Sequence, residues 1–205
     1  EPMTLEGALS NDEQVLNTGF FQCLRNDMPD KRAILIKDRP KLSTAPVYDR
    51  ESAIRVMWYM FHVASLNSFT QRNGAVLIYD AQQYGLEHFD RKLSRKMWQL
   101  LDQGTPFHLS AIHFCTAMSR STYSIIIPAV LALMGKRNRL RMIHHRGPSH
   151  IEELMASGLT KDCISCGLGG DVTMEMYKSW IQKRREIEAQ REKNAVSEND
   201  CNENR

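Results

Sequence analysis

Cys163 and Cys166 have the spacing of a metal-binding or redox-active cysteine pair. A structural zinc site needs four ligands, and the chain has no second cysteine pair to supply the other two. His144 and His145 are neighbours on a predicted strand, so their side chains point to opposite faces and only one could join. A redox pair normally opens a helix, whereas this pair precedes a glycine turn. The pattern favours two small, partly buried thiols and no metal site.

The stretch GLGG, residues 167–170, matches the first half of a dinucleotide-binding fingerprint. The full fingerprint lies early in a βαβ unit and has a further glycine and an acidic residue about 20 positions later. Here one predicted helix follows the glycines, so we interpret the stretch as a turn that uses the positive φ open to glycine. A nicotinamide-dependent enzyme is the alternative, and nucleotide absorbance of the purified protein would reveal it.

Motifs of the common catalytic classes are missing from the sequence. It contains no G-x-S-x-G, no H-E-x-x-H and no phosphate-binding P-loop. His108 and His113 fall on one predicted strand at odd spacing, so they face opposite sides of it. We therefore assign no catalytic residue, expect no cofactor and do not expect an enzyme.

A second group of residues is apolar rather than reactive. The segment STYSIIIPAVLALMG, residues 121–135, carries apolar side chains on nearly every side of a predicted helix. Its apolar run of about 13 residues is shorter than the roughly 20 needed to span a bilayer. Such a helix is either fully buried or covers something apolar that is not protein. A run of cations follows it, which is either a solvated face or a surface for anionic lipid headgroups. The run contains Lys136, Arg137, Arg139, Arg141 and Arg146.

Composition limits the class of protein. The 205 residues, 42% of them hydrophobic and 25% charged, are typical of one globular domain. A net charge of +3 is too small to indicate nucleic acid as the main partner. Five cysteines without regular spacing and no signal peptide predict a cytoplasmic protein with free thiols.

The elements that must position these residues alternate between strand and helix. Apolar and β-branched runs predict strands over 33–37, 74–80, 107–114 and 139–145. Helical periodicity predicts helices over 11–24, 49–71, 91–104, 121–135, 149–157 and 174–193. The alternation predicts an α/β domain with a mainly parallel sheet, over residues 11–193. Residues 1–10 are expected to form a tether and residues 194–205 a disordered tail.

The order of five segments resembles the CRAL-TRIO family of lipid-binding domains. The segments are RAILIK, TQRNGAVLIYD, FHLSAIHF, IIIPAVLALMGKR and CISCGLGG, and the resemblance extends over about residues 14–185. TQRNG before a strand ending in Asp80 is closest to the tocopherol-transfer branch of the family. The last segment resembles the family's closing pattern of an apolar residue, proline, any two residues, an apolar residue and two glycines, with Ser165 in place of the proline. The small helical bundle that usually precedes the family's lipid domain would lie before this chain begins.

The resemblance implies a sheet floor, helices on one side of it, and a mobile apolar gate helix over a lipid cavity. The implied function is to bind a hydrophobic lipid of the tocopherol, retinoid or phospholipid class and to carry it between membranes. The partner implied is an anionic membrane surface, with the protein peripherally associated. The alternative is a lipid-sensing or protein-interaction module that keeps the fold without transfer activity.

The resemblance also implies which residues bind lipid. We expect one wall from the long helix, a floor from the sheet, a side from the helix over 91–104, and the gate. These residues are Ile54, Met57, Trp58, Phe61, Leu77, Tyr79, Met97, Leu100, Leu101, Phe107, Leu109, Ile112, Ile125, Ile126, Ala129, Val130 and Leu133. Headgroups or membrane would be bound by Lys136, Arg137, Arg139 and Arg141. The resemblance to the tocopherol-transfer branch implies basic residues that bind phosphoinositide headgroups on the strand where this chain has His108 and Ser110, so only the Lys136 to Arg141 part of that cluster is present.

Overall fold

The fold is built on a five-stranded sheet with the strand order β1-β2-β3-β4-β5. In this computed structural model, residues 4–5, 10–24, 31–42, 49–117, 122–147 and 150–203 are described. The strands are β1 Phe21–Leu24, β2 Ile34–Asp38, β3 Ala75–Ala81, β4 Leu109–Thr116 and β5 Met142–Arg146. Strands β2 to β5 are parallel, and β1 pairs with β2 in the antiparallel sense at the edge. The predicted α/β fold with a mainly parallel sheet is confirmed.

Helices connect and flank the strands. They are α1 Glu13–Asn17, α2 Arg39–Leu42, α3 Arg50–Ser65, α4 Ser68–Asn73, α5 Arg91–Gln103, α6 Ile127–Leu133, α7 Lys136–Arg139, α8 His150–Ala156 and α9 Met174–Glu203. Short 3-10 turns cover Ser10–Asp12, Leu86–His88, Lys161–Cys163 and Cys166–Leu168, and a π-helical turn, Thr122–Ile126, precedes α6. Helices α3 and α5 begin at side-chain caps: Asp49 accepts from Ser52 N, and Asp90 accepts from Lys92 N and Leu93 N.

The predicted helix over 49–71 is two helices. The first ends at Ser65, and Asn67 caps the second by accepting a 3.0 Å hydrogen bond from Thr70 N. The amide of Asn67 also donates to the carbonyl of Lys31, which ties the chain reversal to the segment that leads into β2. The Asn67 side chain accepts a hydrogen bond from the first turn of α4. This cap favours the start of a new helix over continuation of α3.

The predicted helix over 11–24 ends early. Helix α1 stops at Asn17, and Gly19 adopts φ +65°, which turns the chain away from the helix axis. Phe21–Leu24 then joins the sheet as its antiparallel edge strand, an element that the sequence reading did not contain.

The C-terminal helix is longer than expected. Helix α9 continues to Glu203, through residues for which the sequence predicts a disordered tail from position 194. Residues 174–203 contain neither glycine nor proline, so this segment has no helix-breaking residue that would end the helix at position 193. Nearer its start, Tyr177 Oη donates to the carbonyl of Leu16, which anchors α9 to the N-terminal segment. The predicted tether falls mostly outside the described residues.

Both faces of the sheet are covered. The larger apolar cluster, here called the gate-side core, lies between one face of the sheet and helices α3, α5 and α6. A smaller cluster on the other face packs Ile36 and Ile78 against Leu154 of α8 and Ile164. The resemblance implied helices on one side of the sheet. The structure corrects this, because α8 and the 3-10 turns after it cover the other face. Strand β3 is buried along its whole length as a result.

Candidate lipid-binding site

The predicted lipid-binding residues converge on one face of the sheet. All of them except Ile125 and Ala129 belong to the gate-side core or pack against it. Helix α3 brings Ile54, Met57, Trp58 and Phe61 to that face because positions three and four apart share one side of a helix. Strands β3 and β4 supply the floor, with Leu77, Tyr79, Leu109 and Ile112. Phe107, Met97, Leu100 and Leu101 come from α5 and the loop that follows it, and Ile126, Val130 and Leu133 from α6 and the turn before it.

These side chains are packed against one another. The ring of Phe61 meets the ring of Phe21 edge to face with centroids 5.3 Å apart, and Tyr79 lies 4.6 Å from Phe114. Met57 and Leu77 have no exposed surface. A ligand that enters this core must therefore move side chains apart or displace the helix that covers them.

Helix α6 is short and apolar on both of its faces. Ile126 and Val130 are buried in the gate-side core, whereas Ile125, Pro128 and Ala132 are exposed, Ile125 by 51%. Pro128 stands in the first turn of α6, where a missing N–H costs no hydrogen bond. The helix predicted over 121–135 would have placed this proline near its middle. The π-helical turn before it is a geometry often found where helices take part in function.

A groove separates α6 from α5. Its volume is about 550 Å³, within the range of small-ligand sites. Ala129 and Leu133 line one side and Arg91, Arg95 and Gln99 the other, with Phe89 and Ala132 completing the lining. Phe89 and Leu133 also pack against the gate-side core, so the groove leads from solvent to the edge of that core.

The predicted headgroup residues divide into two groups. Lys136, Arg137 and Arg139 are exposed on α7, directly after α6. Arg141 is half-buried, and its Nη1 donates a 2.6 Å hydrogen bond to the carbonyl of Leu109. Arg141 therefore also holds the start of β4, whereas the three cations of α7 are exposed.

A second basic surface lies on α5 and was not identified from the sequence. Its residues, Arg91, Lys92, Arg95 and Lys96, are exposed, and they form no ion pair within the described part of the chain. They repeat at positions i, i+1, i+4 and i+5, on the side opposite the buried Leu93 and Met97. The i, i+1, i+4, i+5 spacing of the basic residues is the sequence signal for this surface.

Lys37 is a further residue of the site that the sequence did not identify. It is 1% exposed on β2, and its Nζ lies 4.3 Å from the centre of the Tyr79 ring, on the gate-side face. Tyr84 contacts the same ring edge to face at 5.9 Å. The gate-side core thus contains a polar end beside Tyr79.

The two adjacent histidines point to opposite faces, as expected from a strand. His144 lies 3.0 Å from the hydroxyl of Thr116 and near Phe114, on the gate-side face. His145 lies on the other face, 2.8 Å from His113 and 2.6 Å from Glu153 of α8. Burial and then the coulombic effect of His145 lower the pKa of His113 to about 4, so His113 is neutral at physiological pH. The hydrogen bonds between His113 and His145 and between His145 and Glu153 connect the sheet to α8.

The cysteine pair and the glycines form a closing turn. Cys163 is buried and its Sγ donates to the carbonyl of Thr160, whereas Cys166 is exposed. Among the described residues no group of three or more His, Cys, Asp and Glu side chains could hold a metal ion. Gly169 adopts φ +89°, and a side chain at Gly170 would collide with the carbonyl of Ile164. The glycines are needed for the path of the chain.

Comparison with known families places the chain. Residues 17–148, from the end of α1 through β5, match the CRAL/TRIO domain, and the chain belongs to that family. A comparison with curated proteins gives no significant match. No helix within the described residues is long and apolar enough to cross a membrane. CRAL/TRIO domains bind small hydrophobic molecules, so the family gives this chain a lipid-binding function in general terms.

Proposed function

We propose that this protein binds one small hydrophobic lipid in the gate-side core and exchanges it at anionic membrane surfaces, with α6 as the gate. The observation that carries the proposal is the position of α6. Its outward face is apolar and exposed, and exposed cations of α5 and α7 stand beside it and after it. No step of this function needs a catalytic residue.

The cost of opening the gate depends on the medium. Moving α6 away from the sheet exposes Ile126, Val130 and Met134, all of them nearly fully buried. Burial of such a side chain is worth about 1.5–3 kcal/mol, so opening in water is rare. At a membrane the same side chains, with Ile125 and Ala132, enter the acyl boundary instead of water, and the cost falls.

The cations orient the gate toward an anionic surface. Each basic residue near such a surface contributes about 1 kcal/mol, and salt screens the attraction. Seven exposed cations lie on α5 and α7, although the whole chain carries a net charge of only +3. They are Arg91, Lys92, Arg95, Lys96, Lys136, Arg137 and Arg139.

The ligand class that we propose is a lipid with a long apolar part and one polar end, as in the tocopherol, retinoid and phospholipid classes. The apolar part would lie along Phe61, Leu77 and Ile112, and the polar end near Lys37 and Tyr79. The motif TQRNG before β3 supports the tocopherol-transfer branch. A phosphoinositide headgroup would use the exposed cations of α7.

A lipid-sensing or interaction module is the second candidate. The tight packing of Met57, Phe61 and Leu77 favours it, because a packed core needs no ligand to be stable. The two functions differ in exchange: a carrier moves lipid between vesicles, and a module does not.

Vesicle transfer of a fluorescent lipid tests the proposal. We expect transfer to accelerate when phosphatidylserine is added to phosphatidylcholine vesicles and to slow with added salt. Alanine in place of Lys136, Arg137 and Arg139, or of the four α5 cations, should slow it severalfold. The matched control replaces Lys161, Lys178 and Arg191, three exposed cations elsewhere, and should transfer like the parent. Transfer that is indifferent to vesicle charge and to both sets of substitutions would contradict the membrane part of the proposal.

A further inference from the structure

A second cavity lies at the carboxyl ends of β2, β3 and β4. Its volume is about 730 Å³, and it shares no lining residue with the groove between α5 and α6. The carboxyl edge of a parallel sheet is a common ligand position in α/β proteins because the strands end there and loops diverge. The lining residues are Asp38, Pro40, Lys41, Asp80, Gln82, Gln83, His88, Ala117, Ser165, Cys166, Gly167 and Met174.

Two carboxylates face this cavity from neighbouring strands. Asp38 and Asp80 are partners in the β2–β3 register. Asp38 pairs with Lys41 at 3.1 Å, whereas Asp80 has no ion pair within the described residues and is 8% exposed. Oδ1 of Asp80 accepts a 3.2 Å hydrogen bond from Gln82 N. Burial, and then the charge of Asp38, raise the pKa of Asp80 to about 6, so a cation beside it would remove an electrostatic cost.

Ser165 lines the same cavity, and its buried hydroxyl is left unpaired by the described residues. The residue is 5% exposed, and its Oγ finds no hydrogen-bond partner in the part of the chain that the structure describes. Buried hydroxyls are normally hydrogen-bonded, so an unpaired one calls for an explanation. The closing turn does not need it, because Ser165 has φ −64° and stands where the family pattern has proline.

Gly167 keeps a small space open between these two oxygen atoms. A methyl group built on its Cα would lie 3.3 Å from Oδ2 of Asp80 and 4.0 Å from Oγ of Ser165. Gly167 does not have the positive φ of Gly169, so what it contributes is the missing side chain. Both oxygens therefore lie within 4.0 Å of the position that the missing side chain of Gly167 leaves empty.

We propose that this space is a binding site for a primary ammonium group of a small organic amine. The Asp80 carboxylate supplies the opposite charge and one acceptor, and the Ser165 hydroxyl supplies a second acceptor. A short apolar chain on the amine would lie against Pro40, Ala117 and Met174. Two carboxylates outnumber the one lysine of the lining, Lys41, and disfavour an anion. The described residues offer no group of three ligands for a metal.

Titration of the full chain with n-butylammonium chloride at pH 8 tests the site. We expect saturable shifts of the Gly167 amide and the Asp80 carboxyl resonance in NMR spectra. Tetramethylammonium at equal ionic strength carries the charge without an N–H donor, and it should give no saturable shift. Equal, non-saturating shifts with the two cations would overturn the proposal.

Three variants and a control separate the parts of the site. Asp80→Asn should weaken n-butylammonium binding by about tenfold or more, the loss of a charged hydrogen bond. Gly167→Ala, which keeps both polar groups and fills the space between them, should weaken it similarly, and Ser165→Ala less. Asp171→Asn, an exposed carboxylate in the same loop, should bind like the parent. Unchanged affinity in Gly167→Ala would overturn the proposal even if Asp80→Asn fails to fold. The alanine substitutions on α7 should leave this binding unchanged.

Discussion

Asp12 and Asp80 show two outcomes for a carboxylate inside this protein. Asp12 is 2% exposed and accepts hydrogen bonds of 2.6 and 2.7 Å from the guanidinium of Arg55. Burial alone would raise the pKa of Asp12, and the hydrogen bonds and charge of Arg55 bring it below the ordinary value. Asp80 lacks such a partner among the described residues, and its pKa is raised. Pairing, rather than burial, decides which carboxylate stabilises the fold at neutral pH.

Asp80→Asn is therefore expected to stabilise the protein above pH 6. The folded pKa of Asp80, about 6, lies above the unfolded value of about 3.9, so the folded state binds the extra proton between these values. Stability from this group is complete below pH 4 and is lost as pH rises through 6. The variant should gain on the order of 2 kcal/mol relative to the parent between pH 4 and pH 8. Urea unfolding of both proteins at each pH measures the difference, and a difference that does not change with pH would contradict it.

Ser165→Pro is expected to be tolerated and slightly stabilising. Ser165 has φ −64° and Ile164 has an extended backbone, both compatible with proline at position 165. The backbone hydrogen bonds at this bridge use the N–H groups of Cys166 and Val172. Proline removes unfolded-state freedom worth about 0.4–1 kcal/mol. The midpoint of denaturant unfolding should rise, and a fall of more than about 1 kcal/mol would show that the hydroxyl has a structural role.

At the scale of elements, α6 has two apolar faces in different surroundings. Ile126 is fully buried, whereas its neighbour Ile125 is half-exposed. Ile126→Asp buries a charge and should cost more than about 3 kcal/mol of stability, or protonate instead. Ile125→Asp should change stability by less than about 0.5 kcal/mol. It should nevertheless weaken sedimentation with anionic vesicles, because it puts a negative charge on the proposed membrane face. Vesicle binding of Ile125→Asp equal to the parent would place that face in solvent.

Whether the sequence predicts an element depends on whether local residues or tertiary contacts determine that element. Strand β3 is apolar on both faces, and its run of residues identifies a central parallel strand without further information. The break at Asn67 depends on hydrogen bonds to Lys31 and Thr70, which no periodicity reports. Strand β1 forms because an edge of β2 is available for pairing. This pairing depends on tertiary structure and not on the local sequence. The sequence therefore did not predict the helix break at Asn67 or the edge strand β1.

The same distinction holds for the candidate site. The apolar residues of α3, β3 and β4 converge as expected because helix and strand periods fix their faces. Whether they enclose a ligand or pack on one another depends on the position of α6, which periodicity does not determine. The cavity beside Asp80 is lined by residues more than 80 positions apart in the chain. No single segment of the sequence therefore indicates it.

At the scale of the whole molecule, α9 closes the gate-side core from the side of α3. Tyr59 Oη donates a 2.5 Å hydrogen bond to Glu188, and Arg184 pairs with the same carboxylate at 3.0 Å. The other oxygen of Glu188 accepts from Leu5 N at 2.8 Å. Burial together with these contacts fixes one wall of the core, whereas α6 covers the core with an apolar face exposed on its other side. This difference is why we propose α6, and not α9, as the gate.

The central claim is that a lipid occupies the gate-side core. Its most direct test is mass spectrometry of an organic extract of protein incubated with total cell lipid and repurified under native conditions. The account predicts one hydrophobic lipid per chain in the parent, and much less in Ala129→Trp, whose indole would fill the groove between α5 and α6. Ser157→Ala on the opposite side of the sheet, at the end of α8, serves as the control and should carry as much lipid as the parent. A folded parent protein that carries no lipid would contradict the claim, and a lipid content unchanged in Ala129→Trp would contradict the groove as the way into the core.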